Sequence, residues 1–319
     1  MKVLLIGFST IAKSRIITAF EKESRITQIE IASESQTNIK IDSYKLGKIY
    51  DNYALAISHS DADLVYISTI NSNHMELAEN ALNKSFHVII DKPAFINYQD
   101  AIKVVEIAKN KKKLLAEATV YAFHPQIDLM KNQFNIYDSQ PNKITAIFSF
   151  PPLDKDNFRY HAKYGGGALN DLGPYAVSIG RVIFDSEPHE LLCKICGRGG
   201  KNNIETSFSM LAVYSGDRTM IGHFGFESEY KNYINIMGLK CTIESERIFT
   251  IPDNLENEIT VKFSDDKKKV KSAKADCFEL FIKNVLNSID SYDYVTFSKI
   301  LLSDAKILNK LKISAKSEF

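Results

Sequence analysis

Met1-Lys2-Val3-Leu4-Leu5-Ile6-Gly7-Phe8-Ser9-Thr10-Ile11-Ala12 opens the chain and decides its fold. An unbroken apolar run ends in glycine and passes at once into small and hydroxyl side chains that start a helix. Such a run reads as a strand buried on both faces, the habit of a parallel sheet. A dinucleotide site makes three demands at a turn of this kind: a residue for the tight turn, a small one near the pyrophosphate, and a small one where helix meets strand. Gly7, Ser9 and Ala12 meet them as a G-x-S-x-x-A variant of G-x-G-x-x-G, with Thr10 and Ile11 completing the cofactor-binding turn. The same stretch is too short in its apolar part for a signal peptide, and no small-residue cleavage site follows.

Outward from this strand the pattern repeats. Ile26 to Ala32, Leu64 to Ser68, His87 to Ile90 and Leu114 to Thr119 are short, β-branched-rich runs bounded by polar residues. Amphipathic stretches lie between them, clearest at Ala101, Val104, Val105 and Ala108, whose spacing puts all four on one helix face. Strand alternating with helix predicts an α/β class chain whose N-terminal domain, residues 1–118, is a doubly wound parallel sheet. Beyond residue 118 the period changes. Glu205 to Tyr214, Thr219 to Phe226 and Asn232 to Met237 alternate like antiparallel strands, with the turn-like Ser215-Gly216-Asp217 between the first two. Helices are expected at about Ala168 to Phe184, Ala273 to Leu286 and Phe297 to Leu311. Residues 119–319 therefore read as an α+β domain with a large, mainly antiparallel open sheet.

Composition narrows the function. With 319 residues, 45% hydrophobic and 25% charged, the chain is long enough for two folded domains. Lys+Arg exceed Asp+Glu by 40 − 39 = 1, which argues against a nucleic-acid or anionic-membrane partner. No run approaches the roughly 20 apolar residues of a membrane span. Cys193 and Cys196 form a C-x-x-C inside the strand-like run Leu191 to Cys196, where residues three apart face opposite ways. Reduced structural thiols in a cytoplasmic protein are the expectation. No spacing suggests a metal site, a P-loop or a nucleophile elbow.

The second strand ends in Ser33-Glu34. NAD enzymes usually place an acid here for the ribose hydroxyls, and NADP enzymes a basic residue for the extra phosphate. Ser33 stands at the usual acid's place and Glu34 would repel a 2′-phosphate, so the cofactor is NAD or NADP with a lean to NAD.

Further motifs identify a family. Asp63-Leu64-Val65-Tyr66-Ile67-Ser68-Thr69, Asn73-His74 and Val88-Ile89-Ile90-Asp91-Lys92-Pro93 come in that order, with Asp91 where the family carries glutamate. Tyr121-Ala122-Phe123-His124-Pro125-Gln126 follows, with Ala122 where many members have arginine. Then come Asn157-Phe158-Arg159-Tyr160 and Gly165-Gly166-Gly167-Ala168-Leu169-Asn170-Asp171-Leu172-Gly173-Pro174-Tyr175. Together they resemble the Gfo/Idh/MocA oxidoreductases over essentially the whole chain. The resemblance implies that Thr69, Asn71, His74, Asp91 and Lys92 line the cofactor site, that a cis bond precedes Pro93, and that Lys92 sits beside the nicotinamide. A cation there suits a developing alkoxide or proton exchange.

Asp171 and Tyr175, four apart on a predicted helix, share a face. An acid beside a phenol suits proton delivery to a carbonyl oxygen, with Lys92 as the cation that makes the phenol a better acid. Lys92, Asp171 and Tyr175 are the candidate catalytic residues; His124, Arg159, Tyr160 and His161 join them as candidate substrate contacts. The expected activity is hydride transfer between a nicotinamide and a sugar derivative, first a nucleotide-linked ketosugar reductase. A non-catalytic sensor of the same fold and an NAD-assisted glycosidase are the alternatives. A homodimer or homotetramer is expected, through an apolar sheet face bearing Phe208, Met210, Ala212, Phe224 and Phe226.

Overall fold

The computed structural model describes residues 1–36, 39–200 and 202–316, and the chain divides into two compact units. The first holds Met1–Ala118 and Phe278–Ala305, the second Thr119–Cys277 and the segment from Lys306 onward. Residues 278–305 thus leave the C-terminal domain to which their position in sequence had assigned them. An amphipathic pattern announces a helix but not the surface it covers. Here Phe281 packs edge-on against Phe297 at 5.9 Å, Leu301 joins the first unit's core, and Arg25 bonds Asp290 at 2.9 Å.

In the first unit the strands β1 (Lys2–Ile6), β2 (Gln28–Ala32), β3 (Leu46–Tyr50), β4 (Leu64–Ile67), β5 (His87–Ile90) and β6 (Leu115–Glu117) form one parallel sheet in the order β3-β2-β1-β4-β5-β6. Their apolar side chains from β1, β4 and β5 are buried on both faces, which is why these runs show no polar alternation. The edge strand β3 escaped the sequence reading because Leu46-Gly47-Lys48-Ile49-Tyr50 has neither an apolar run nor alternation; pairing with Ile29, Ile31 and Ala32 makes it a strand. Helix α1 (Ile17–Lys22) continues a π-helical turn over Ala12–Ile16, and α2 (Tyr53–His59), α3 (His74–Asn83) and α4 (Tyr98–Lys111) follow. Asn97 starts α4 by accepting the Asp100 N–H at 2.9 Å, and Ala101, Val104 and Ala108 bury its apolar face.

The second unit contains α5 (Gln126–Ile136), β7 (Pro141–Ser149), α6 (Ala168–Asp171), α7 (Gly173–Phe184), β8 (Glu190–Gly199), β9 (Ile204–Tyr214), β10 (Arg218–Gly225), β11 (Lys231–Gly238), β12 (Thr242–Glu246), β13 (Glu258–Phe263) and β14 (Asp266–Lys271). The eight strands run β14-β13-β12-β11-β7-β10-β9-β8, antiparallel except for β7 beside β10. Phe208, Met210, Ala212, Phe224 and Phe226 all face the inner, helix-covered side and are at most 6% exposed. They cannot form the interface expected of them. Period-two alternation separates two faces but does not say which one is covered. The opposite face carries Leu192, Leu211 and Ile221, aligned across β8, β9 and β10, and Ile221 is 51% exposed.

All four cysteines are free thiols. Cys193 is buried, which pushes its pKa up to about 12, whereas Cys196 is exposed at a bulge in β8, so the two do face opposite ways. No helix among the described residues is long and apolar enough to cross a membrane.

Candidate active site

At the carboxyl edge of the first sheet the strand order reverses between β2-β1 and β4-β5, the place where open α/β sheets bind ligands. Gly7 leaves β1 with φ +93°, a backbone that disfavours any side chain, and a Cβ there would lie 2.2 Å from the Ser68 carbonyl oxygen. Its N–H donates to the Ala32 carbonyl at 2.9 Å. Ser9 Oγ accepts the Ala12 N–H at 3.0 Å, while Thr10 and Ile11 stay exposed at the helix start. Early helix amides lack intrahelical partners, so this cradle fits a pyrophosphate. Ala12 is fully buried where the helix meets the sheet.

Two residues that the motif search passed over extend this turn into a relay. Ser9 Oγ lies 2.7 Å from Ser68 Oγ, Ser68 donates to Asp91 at 2.6 Å, and the Tyr66 hydroxyl donates to the other Asp91 oxygen at 2.8 Å. Burial raises the Asp91 pKa against these two donors. Ser68 and Tyr66 stand on either side of Ile67, on strand β4 and its end, so β4's alternation was the available signal. Lys92 follows, half-buried, with a cis bond to Pro93. The turn after it is pinned twice. Glu117, at the end of β6, accepts the Ala94 N–H at 2.7 Å, and His74 Nδ1 lies 2.9 Å from the Pro93 carbonyl. His74 Nε2 lies 3.2 Å from the Thr69 carbonyl, so this buried imidazole, its pKa lowered by burial, sits between the two carbonyls and in its neutral form donates its single N–H to one of them. His87, at the amino end of β5, accepts the Leu114 N–H at 3.0 Å as a satisfied core histidine.

At the end of β2, Ser33 is buried and its hydroxyl accepts the Gln36 N–H at 3.2 Å. The Glu34 carboxylate is turned to the start of α2, where it accepts the Tyr53 N–H at 3.2 Å. Lys13 reaches in from the first helix instead and donates to Gln36 Oε1 at 2.8 Å.

In the second unit the glycines are packed against the loop that precedes them. Gly167 donates to the Arg159 carbonyl at 2.8 Å, and a Cβ on Gly166 would lie 2.5 Å from that oxygen. The Arg159 guanidinium bonds Asp171 through Nε at 2.7 Å and faces Asn157 through Nη1 at 3.4 Å. Asp171 and Tyr175 do not share one helix as the spacing predicted. Leu172, at φ −107°, breaks the run, leaving Asp171 at the end of α6 and Tyr175 in α7. Asp171 is 6% exposed; Tyr175 is half-buried, its ring held by Tyr121, Phe148 and Phe249 at 5.2 to 5.8 Å between centroids.

Two expected substrate contacts are packed inside. Tyr160 sets its ring against Phe226 and its hydroxyl accepts the Leu153 N–H at 3.2 Å. His124, 1% exposed, accepts the Gln126 N–H at 3.2 Å and is pushed by burial to a pKa of about 4. His161 remains half-buried beside Tyr164.

Comparison with known proteins agrees with this geometry. The model of the Gfo/Idh/MocA oxidoreductase family, NAD-binding Rossmann fold, matches residues 1–119, and that of the GFO/IDH/MocA C-terminal domain matches residues 140–244. A dTDP-3,4-didehydro-2,6-dideoxy-alpha-D-glucose 3-reductase of Actinomadura kijaniata is 22% identical over 99% of this chain and 96% of its own. The enzyme of that name from Saccharopolyspora spinosa is 26% identical over 66% of this chain and 63% of its own. Among solved structures, the 3-ketoreductase KijD10 of Actinomadura kijaniata in complex with NADP and TDP-benzene superimposes with a TM-score of 0.89 at 22% identity, covering 99% of this chain and 98% of that one. An aldose-aldose oxidoreductase from Caulobacter crescentus gives 0.84 at 16% identity, over 99% and 97%.

Proposed function

The chain belongs to the Gfo/Idh/MocA oxidoreductases, and from that membership we propose that it reduces a ketosugar carried on a nucleoside diphosphate, using NADP(H). The observation that carries this reading is Tyr175, its ring held among Phe148, Phe249 and Tyr121 in the second unit, in a chain that keeps Lys92 directly after β5 in the first. The names of its ketoreductase relatives support the substrate class. Nicotinamide supplies the hydride when the cofactor is bound. The protein's own groups would manage charge on oxygen: in the second unit the Tyr175 hydroxyl can give up a proton, and in the first the Lys92 ammonium after β5 can stabilise a developing negative charge. Half-buried His161 and exposed Lys163 on the preceding loop suit hydroxyls and a diphosphate.

Consumption of NADPH on adding a TDP-linked 3-ketosugar, with no turnover of free aldoses, is the expected result. Binding without net consumption of NADPH would replace this reading with a sensor, and sugar release without net cofactor turnover would replace it with the glycosidase.

Two features at the end of β2 support NADP(H) over the NAD lean. Glu34 is committed to Tyr53, and Lys13 lies beside the end of β2, where a 2′-phosphate would need a cation. We expect NADPH to bind at least tenfold more tightly than NADH, about 1.4 kcal/mol, and Lys13→Ala to remove most of that difference in fluorescence titrations. Equal affinities would remove the preference for NADPH, and tighter binding of NADH would return it to NAD.

We also propose that the protein is a homo-oligomer, a homodimer or homotetramer, through the outer sheet face of Leu192, Leu211 and Ile221. Ile221→Asp puts a charge on this face and should yield monomers in light scattering; an unchanged mass would place the interface elsewhere. Free thiols throughout suit a reducing compartment such as the cytoplasm.

A further inference from the structure

We propose that Ser9, Ser68 and Asp91 form a hydrogen-bonded relay whose direction sets how tightly the turn from Gly7 to Ile11 holds an anionic dinucleotide, with binding strongest when Asp91 carries a proton. Ser68 is the positioning residue at its centre. Its place is fixed from two sides: the Ser68 N–H donates to the Ile6 carbonyl at 2.7 Å, and its own carbonyl lies so close to Gly7 that no side chain fits between them. Ser68, 2% exposed, thus stands between the turn after β1 and the end of β5, where the Asp91 N–H donates to the Ile67 carbonyl at 2.9 Å.

Counting protons gives the direction. An ionised Asp91 can only accept, and it takes the Ser68 hydroxyl on one oxygen at 2.6 Å and the Tyr66 hydroxyl on the other at 2.8 Å. Ser68 has then spent its one proton, so the 2.7 Å bond between the serines is donated by Ser9. Ser9 also accepts the Ala12 N–H at 3.0 Å, and its hydroxyl keeps no proton for an anion in the turn. A protonated Asp91 reverses the chain: the carboxyl donates to Ser68, Ser68 donates to Ser9, and the Ser9 proton is freed. The same step removes a negative charge two hydrogen bonds from the turn. Both changes favour a pyrophosphate, and by linkage a bound pyrophosphate favours the proton on Asp91 by the same factor. Among the described residues the titratable groups facing Asp91 are Tyr66 on β4, His74 at the start of α3 and Lys92 beside it in the chain, while Glu117 on β6 is turned to the Ala94 N–H. Burial outweighs their effect and lifts the Asp91 pKa above the ordinary aspartate value, which brings its titration closer to neutral pH.

The proposal rests on the dinucleotide reading of the turn and not on the substrate. Its test is calorimetric titration of the full chain with NAD⁺, which lacks the titrating 2′-phosphate of NADP⁺, over roughly pH 4 to 8 in buffers of different ionisation enthalpy. Binding should take up part of a proton, and affinity should fall about tenfold as pH rises through the Asp91 titration. Asp91→Asn fixes the chain in its reversed sense, since the amide donates to Ser68 while Tyr66 still donates to the oxygen. This variant should bind NAD⁺ about tenfold more tightly than the parent at the alkaline end, without proton uptake. Ser9→Ala leaves every bond of Asp91 in place, yet it should lose most of the uptake, as should Ser68→Ala; Ser68→Thr keeps the hydroxyl and should restore it. Uptake that persists in Asp91→Asn would put the proton on another group, such as His74, and overturns the proposal. So does unchanged uptake in Ser9→Ala, which would make Asp91 a buried charge acting without the relay. If Asp91→Asn fails to fold, the parent and Ser9→Ala still decide, because parent affinity that is indifferent to pH is itself contrary to the proposal. A parent that binds neither NAD⁺ nor NADP⁺ would remove the dinucleotide reading, and the relay with it.

Discussion

Lys92→Ala should lower kcat by roughly 10² to 10⁴, the contribution of a positioned acid, base or charge, while dinucleotide affinity stays within a few-fold. The expectation follows from where the structure holds the turn. Lys92 leaves β5 beside Asp91, and its neighbours in the segment are each held by bonds of their own: Pro93 through His74, Ala94 through Glu117, and Asp91 through Ser68 and Tyr66. The turn from Gly7 to Ile11, which fits a pyrophosphate, follows a different strand, β1. Loss of the ammonium should therefore appear in the transition state and hardly at all in cofactor binding. Tyr175→Phe keeps the ring among Phe148 and Phe249 and deletes only the hydroxyl, so its smaller loss reports proton delivery. If both groups act on one oxygen, the double variant loses less than the product of the single losses. Full activity of a folded Lys92→Ala protein on its ketosugar would place the chemistry elsewhere.

Lys45→Met is expected to destabilise the first unit by about 2 to 3 kcal/mol, the upper part of the range for hydrogen bonds to a charged group. Lys45 is 6% exposed, and its ammonium donates to the carbonyls of Phe20, Glu21 and Glu23 at 3.0, 2.7 and 2.8 Å. Those oxygens belong to the C-terminal turn of α1 and the residue capping it, where a helix leaves acceptors without partners and its dipole favours a cation. One side chain from the segment before β3 thus closes the helix that carries the cofactor turn at its other end. Methionine matches the length and apolar stem but abandons all three acceptors. Urea titration gives the free energy, and hydrogen exchange should quicken first at the amides of α1. A loss below about 1 kcal/mol would mean that water replaces the ammonium.

Much of the first unit was legible because its strands are buried on both faces. Val3 to Ile6, Leu64 to Ile67 and His87 to Ile90 had no solvent-facing positions to break their apolar runs, and Gly7 marked the turn because its backbone tolerates no side chain. Strand β3 was hidden for the converse reason: its half-exposed residues become a strand only by pairing with β2. Leu172 likewise looked like a mid-helix residue, although α6 and α7 part at it and the next residue, Gly173, lies so close to Leu308 that a Cβ would approach its side chain to 2.5 Å.

The sequence by itself determined the parallel nucleotide-binding sheet and the antiparallel second sheet, because each rests on local periodicity or on a motif contiguous in the chain. Tertiary structure alone decided the choices between equivalent local patterns: which face of the second sheet is covered, which unit takes residues 278–305, that Glu34 turns to Tyr53 while Lys13 approaches the end of β2, and that Arg159 pairs with Asp171. The reason is physical. Periodicity fixes the direction of a side chain relative to its own strand or helix, whereas its partner is fixed by the packing of segments distant in sequence, which local pattern does not encode.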